Sequence, residues 1–382
     1  MLPSLFSGES NAQPSAVLAL ADGTVFKGYS IGAAGHTVAE LVFSTAMTGY
    51  QEILTNPSSK GQIITLSYPH IGNTGVNPQD SESDCVQAAG LIIKNCPVRL
   101  SNFRSTQSLP DYLADQGVVA IAGIDTRKLI RILREKGAQA GCIWVGDDAE
   151  AALKLAQSWQ AQPLDTNYPS AEAKAWTQGS WQLGQGFVEK TPDQHLPHVV
   201  VYDLGAPLNT LRLLADTGCR ISVAPAQSSL EQLLALQPDG IVLSAGPGNP
   251  ADYTQAIELI NALLAKNIPL LGLGLGHQLL GVAAGAQSIK LKNAHHGTNH
   301  PIQHQQGGQM YISSQNQAYA LDPASLPDHI QPTYVSLFDG SLQGFSLTTS
   351  PAMAYQGIPL STPGPRDITA IFDQFIHLIT TK

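Results

Sequence analysis

Residues 271–278 read Leu271-Gly272-Leu273-Gly274-Leu275-Gly276-His277-Gln278, an apolar strand that enters a glycine-dense turn and leaves it as a helix. This is the layout of a nucleophile elbow, in which one residue on a strained turn is held at a helix N-terminus. The helix dipole and the free N–H groups there stabilise a thiolate or an alkoxide. The turn position holds Gly274, so this elbow carries no nucleophile. His277 falls on the helix that follows and reads as a packing or hydrogen-bonding residue.

Outward from the elbow, strand and helix patterns alternate from residue 197 onward. His198-Val199-Val200-Val201-Tyr202-Asp203 reads as a buried strand, 209–216 as a helix, 219–223 as a strand and 230–236 as a helix. Gly240-Ile241-Val242-Leu243-Ser244 is another strand, 256–265 another helix, and 269–273 the strand that feeds the elbow. Such alternation implies right-handed βαβ units and a mainly parallel sheet covered by helices. Ligand sites in these sheets lie at the carboxyl ends of the strands. Two further motifs fall there. Ser244-Ala245-Gly246-Pro247-Gly248-Asn249-Pro250 is a loop whose glycines let backbone N–H groups approach a ligand or a developing oxyanion; an ordinary tight turn would read the same way. Residues 355–365, from Tyr355-Gln356-Gly357-Ile358-Pro359-Leu360 into a Pro/Gly loop, form a strand end ahead of a final helix over 368–379.

The first half of the chain has a different rhythm. Residues 1–15 are polar and expected to be a disordered extension. Ala16-Val17-Leu18-Ala19-Leu20, a turn at Asp22-Gly23 and Thr24-Val25-Phe26 read as a hairpin. Short apolar runs punctuated by Gly, Pro and Asn continue to about residue 145, a mixed α/β domain over 16–145. Its clearest helix is 127–136, capped by Asp125 or Thr126 and ended by Gly137. Residues 146–196 are rich in Ala, Gln, Asp and Pro and read as a linker, partly helical, to a second domain over 197–382.

Composition sets the outer limits. The 382 residues suggest two or three domains at roughly 150 residues each. With 20 basic and 29 acidic residues the net charge is −9, and no basic run exists, so nucleic acid and anionic membranes are poor partners. No stretch has the roughly 20 apolar residues of a membrane span, and the N-terminus does not read as a signal peptide. Cys85, Cys96, Cys142 and Cys219 are scattered, which fits reduced thiols in a cytoplasmic protein. The run Asn293-Ala294-His295-His296-Gly297-Thr298-Asn299-His300-Pro301 invites a zinc reading. Against it, no Cys, Asp or Glu is near in sequence, and adjacent histidines on a strand point to opposite faces. No metal is expected.

These stretches together resemble the small subunit of carbamoyl phosphate synthetase, which carries a class I glutamine amidotransferase domain. In the N-terminal half the resemblance rests on 40–57 (ELVFSTAMTGYQEILTNP), 67–73 (SYPHIGN), 101–104 (SNFR) and 124–127 (IDTR) with its continuation 134–138. In the C-terminal half it rests on SAGPGNP, LGHQLL, HHGTNHP, 336–340 (SLFDG) and 341–345 (SLQGF). The resemblance implies an N-terminal mixed domain followed by an amidotransferase-like domain. It also implies a partner large subunit that would hold ATP and magnesium, no cofactor in this chain, and a place in carbamoyl phosphate synthesis for arginine and pyrimidines. The family's chemistry uses a Cys thiolate, a His and a Glu, the triad logic applied to a thiol. Those positions correspond here to Gly274, Ile358 and Leu360. The glutamine-contacting positions correspond to Ser58, Gly246, Gly248, Leu275, Gln278 and Asn316, followed by Ala318 and Tyr319 where the family has a glycine and a phenylalanine. The amides of Gly246 and Leu275 would be the oxyanion donors. Ser361 and Thr362 lie beside the lost Glu position but lack a base.

Three readings follow. In the first, the chain docks on the large subunit and leaves ammonia supply to solvent, the glutaminase half-reaction being lost. In the second, it binds L-glutamine without cleaving it and acts as a sensor. In the third, an unrecognised nucleophile preserves hydrolysis, although loss of triad members in hydrolases costs many powers of ten.

Overall fold

The expected hairpin forms: β1 (Ser15–Leu20) pairs antiparallel with β2 (Val25–Ser30). These residues belong to a computed structural model that describes 13–161, 172–191, 195–360 and 364–381. The extension expected over 1–15 does not include its last residues: Ser15 pairs with Tyr29, and the Pro14 carbonyl accepts the Ser30 N–H at 2.8 Å. Residues 1–12 lie outside the described residues.

The chain continues through β3 (His36–Ser44), α1 (Tyr50–Thr55), β4 (Gln62–Leu66), β5 (Gly90–Ile92), α2 (Leu109–Asp115), β6 (Val119–Ala122), α3 (Thr126–Lys136) and β7 (Ala140–Val145). The seven strands close into a barrel in the order β1-β2-β6-β5-β4-β3-β7, with β7 pairing back onto β1. Closure removes both sheet edges. The barrel interior is apolar, built on Leu18, Leu41, Ile63, Ile92, Ile121 and Ile143. Asp125 caps α3 by accepting the Lys128 N–H at 3.0 Å, and Gly137 ends it at φ +88°, as expected from the sequence.

The segment expected to be a linker is ordered where it is described. It holds α4 (Ala149–Ser158), β8 (Lys174–Trp176), β9 (Gln178–Gln182) and β10 (Gly186–Glu189). Ala152 and Ala156 of α4 pack on Val17, Ala19 and Cys142 of the barrel. β8 pairs antiparallel with a strand of the second sheet, and β9 and β10 form a separate hairpin. The polar composition concealed these elements, because a few small or aromatic side chains anchor each one.

The C-terminal half runs β11 (His198–Asp203), α5 (Leu208–Asp216), β12 (Arg220–Pro225), α6 (Leu230–Ala235), β13 (Gly240–Leu243), α7 (Thr254–Ala265), β14 (Leu270–Leu273), α8 (Leu275–Ala283), β15 (Ser288–His304), β16 (Met310–Leu321), β17 (Ile330–Ser336), β18 (Leu342–Leu347), β19 (Ala352–Tyr355) and α9 (Ile371–Thr380). The strand order is β16-β15-β17-β18-β19-β14-β13-β11-β12-β8. Strands β12, β11, β13, β14 and β19 pair in parallel, so the expected parallel sheet forms the centre of a larger one, flanked by antiparallel strands. Its strands are buried on both faces. On β11, Val200 and Tyr202 enter one core while Val199 and Val201 enter the other. Each such side chain contributes roughly 1.5–3 kcal/mol of burial. The last helix begins later than expected, at Ile371.

The two halves meet through polar contacts. Glu82, from the barrel side, caps α5: its carboxylate accepts the Asn209 N–H at 2.8 Å and its backbone carbonyl accepts the Leu208 N–H at 3.0 Å. Helix α5 has no side-chain cap of its own, since Pro207 occupies the cap position. Burial pushes the Glu82 carboxyl up to about 7, against the opposing pull of the Asn209 N–H and Arg212. A carboxyl raised above its unfolded value favours folding at low pH and loses that contribution as pH climbs through the folded value. Accordingly, Glu82→Gln should gain melting temperature relative to the wild type as pH rises from roughly 5 to 8. A pH-independent difference in parallel thermal melts would contradict the assignment.

Candidate functional site

The elbow is built as a strained bend. Gly274 sits between β14 and α8 at φ +54°, ψ −110°, a region that side chains rarely adopt. The bend is held from three sides. The Gly274 N–H donates to the Tyr355 carbonyl at 3.0 Å, the Gly276 N–H donates to the Ser244 carbonyl at 3.1 Å, and the Gln278 N–H donates back to the Gly274 carbonyl at 3.3 Å. Two glycines permit this packing. A Cβ at Gly276 would meet the Leu243 carbonyl oxygen, and one at Gly246 would meet that of Leu204. The carboxyl ends of β13, β14 and β19 thus converge on the bend, as the parallel topology requires.

A cleft of about 460 Å³ opens over this bend. Its lining includes Ser58, Gly246, Gly248, Gly274, Leu275, Gln278, Asn316, Ala318, Tyr319 and Ile358. All the residues that the resemblance assigned to glutamine contact therefore face one space. Leu360 does not reach the cleft. It lines a smaller adjoining cavity of about 50 Å³, which shares Ile358, Asn316 and Gln62 with the cleft.

Several of these groups are already engaged. The Gln278 side-chain amide donates to the Tyr319 carbonyl at 2.7 Å and to Gln356 Oε1 at 3.2 Å. Asn316 Oδ1 lies 2.6 Å from His296 Nδ1, and its Nδ2 donates to Ser59 Oγ at 3.4 Å across the two halves. At the rim Lys290 Nζ pairs with Glu40 Oε1 at 2.8 Å. Burial works against the Lys290 ammonium, but the hydrogen bond and charge of Glu40 prevail and raise it.

One wall beside the bend is apolar. Ile358 and Leu360, 4% and 6% exposed, pack with Ala245 as a closed cluster. The Ile358 N–H donates to the Ser314 carbonyl at 3.0 Å, which fixes the strand end although its side chain carries no proton. No cysteine lines the cleft or the adjoining cavity among the described residues: Cys142 and Cys219 are buried elsewhere in the cores. His277 is fully buried against Phe345, with ring centroids 5.0 Å apart, and burial pushes it down to about 3. It is a core residue, in line with the sequence reading. Ser361 and Thr362 lie outside the described residues.

Two features of the adjoining cavity escaped sequence reasoning. His296 and Glu52 both line it, and burial moves them apart, His296 down to about 4 and Glu52 up to about 8. Burial thus disfavours the charged form of each, which works against an ion pair between them. The only signal in the sequence was their place in the two family-like runs. The histidine motif needs one correction: an acid does approach it, since Asp339, from the turn between β17 and β18, lies 2.9 Å from His295 Nε2. His295 and His296 nevertheless point to different partners, Asp339 and Asn316. Among the described residues no three His, Cys, Asp or Glu side chains are grouped to hold a metal ion. No described helix is long and apolar enough to cross a membrane.

A Cβ on Gly274 would lie 3.0 Å from the Ala245 Cβ as well as imposing a strained φ. Gly274→Ala should therefore cost about 1–3 kcal/mol of stability, measured by denaturant unfolding. A neutral substitution would show that the bend relaxes.

Known proteins resemble this chain over most of its length. Residues 18–143 match the family described as carbamoyl-phosphate synthase small chain, CPSase domain, and residues 200–378 match glutamine amidotransferase class-I. The chain is 54% identical over 371 residues to the carbamoyl phosphate synthase small chain of Vibrio cholerae, covering 96% of this chain and 98% of that protein. It is 54% identical over 366 residues to the one of Pasteurella multocida, with 95% and 94% covered. It is 52% identical over 373 residues to the one of Pseudomonas aeruginosa, with 96% and 99% covered. A solved structure of a glutamine amidotransferase from Thermotoga maritima is 18% identical, covering 44% of this chain and 76% of its own, at a TM-score of 0.36. The chain belongs to the carbamoyl phosphate synthase small-chain family.

Proposed function

We propose that this member of the small-chain family acts as a partner subunit that does not hydrolyse glutamine. It docks on and stabilises the large subunit of carbamoyl phosphate synthase, which binds ATP and magnesium and draws its nitrogen from free ammonia. One observation carries the reading. At the strained bend where an attacking group would sit there is Gly274, and the two positions that would move and orient a proton are Ile358 and Leu360, packed with Ala245.

Amide cleavage by this fold needs an atom that attacks carbon and a base that takes and returns the proton. Gly274 supplies neither, and the aliphatic pair packed with Ala245 offers no atom that can take or return a proton. What remains is the framework: the bend, the backbone amides around it and the cleft walls. These are the parts that keep the domain folded and its outer surface intact for a partner.

A second reading keeps L-glutamine as an uncleaved ligand. It is favoured by the open cleft of about 460 Å³ that gathers the glutamine-contact positions. Such a sensor would have to bind glutamine with different affinity in two states of the complex. The engaged amides of Gln278 and Asn316 weigh against it.

Co-purified with the large subunit, the chain should support carbamoyl phosphate synthesis from ammonium salts and give no turnover with glutamine. Glutamine-dependent synthesis at a comparable rate would overturn the proposal. Calorimetry on the complex separates the two readings: no heat at millimolar glutamine removes the sensor. Replacing a buried ionisable pair by aliphatic residues is neutral or stabilising by roughly 1–4 kcal/mol, so the triple reversion Gly274→Cys, Ile358→His, Leu360→Glu should lower the melting temperature. A higher one would contradict this account of the cluster.

A further inference from the structure

The β9–β10 hairpin stacks on an arginine from each half of the chain. Trp181 and Phe187 face each other in register across the hairpin. The Arg104 guanidinium carbon lies 4.4 Å from the Trp181 ring centroid, and that of Arg212, on α5, lies 3.9 Å from the Phe187 ring centroid. These four side chains and Arg366, which precedes α9, line one cleft of about 420 Å³, on the far side of Glu52 from the small cavity beneath the bend. The volume is that of a small-molecule site.

Three arginines and three acids line this cleft, but they are not equally free to meet a ligand. Its acids are Glu52, Asp80 and Glu82. Asp80 is consumed by Arg104, with Oδ1 at 2.6 Å from Nη2. Glu82 is buried and spends its carboxylate on the first turn of α5. Burial raises both Glu52 and Glu82, which weakens the negative charge they set against the arginines. Arg212 gives its Nε to Gln178 Oε1 at 3.0 Å. Arg366 is exposed and takes part in no ion pair among the described residues. Two polar atoms of the cleft residues, Ser180 Oγ and Arg104 Nε, are buried with no hydrogen-bond partner among the described residues. Buried polar groups left unmatched ask for a ligand or ordered water, and guanidinium forks in a partly dry cleft suit a tetrahedral oxyanion.

We propose that this interdomain cleft binds a phosphate group, held by Arg212 and Arg366 beneath the β9–β10 hairpin. The group is either free phosphate or the phosphoryl end of a small organic molecule whose body lies along Trp181 and Leu183. Bound there, it would tie together α5, the hairpin and the chain entering α9. The site is separate from the cleft over Gly274, and the proposal holds whether or not glutamine is hydrolysed.

The test is a titration of the full chain with inorganic phosphate at constant ionic strength, read by calorimetry and by Trp fluorescence. Saturable binding with a dissociation constant below about 10 mM is expected, together with a concentration-dependent rise in melting temperature. Losing one charge-assisted contact should weaken binding about tenfold or more in Arg366→Gln, an exposed position that leaves the fold intact, and in Arg212→Gln. Arg131→Gln, on the exposed face of α3, should bind like the wild type. Phenyl phosphate identifies the source: tighter binding than inorganic phosphate points to an organic phosphomonoester, and equal binding points to free phosphate. Absence of saturation up to about 20 mM, or equal affinity in Arg366→Gln and the wild type, would overturn the proposal.

Discussion

The bend at Gly274 is the constraint around which the C-terminal half is arranged. Three strands end there, and backbone hydrogen bonds from Gly274, Gly276 and Gln278 fix the turn at φ +54°. In an amidotransferase fold such strain normally positions a side chain for attack, and conformations of this kind cost on the order of 1–3 kcal/mol when a side chain must adopt them. Glycine adopts them freely. The backbone path here is set by neighbouring strands and by close-packed glycines at 246 and 276, not by the residue at its apex.

The same logic governs Ile358 and Leu360. A buried imidazole and carboxylate must be paired and hydrogen-bonded to offset their desolvation. Aliphatic residues need only to pack, and here they pack with Ala245 into a closed cluster. Around them the Ile358 N–H bonds to Ser314, Gln356 is buried, and the cleft walls gather Ser58, Gly248 and Asn316. The halves are joined through Glu82 at the start of α5, Lys290 with Glu40, and Asn316 with Ser59.

Much of this was legible in the sequence. The alternation after residue 197 announced a parallel sheet because strands buried on both faces read as unbroken apolar runs, as in Val199-Val200-Val201. The elbow was legible because Gly272, Gly274 and Gly276 cannot be accounted for by a regular strand or helix. In the segment 146–196, read as a partly helical linker, the strands escaped notice because they are held by sparse anchors, Trp181 and Phe187 on the hairpin. Asp339 beside His295, Glu52 beside the inner cavity and the cross-domain cap by Glu82 were out of reach for another reason. Each joins residues far apart in the chain, and only the tertiary fold sets such distances.

The most direct measurement is labelling with an electrophilic glutamine analogue, a diazoketone that alkylates the attacking group of a working site. Intact-protein mass spectrometry, with and without excess glutamine, should find no glutamine-protectable adduct on the full chain in complex with its large subunit. A stoichiometric adduct that glutamine suppresses and that maps to a residue lining the cleft over Gly274 would contradict the account.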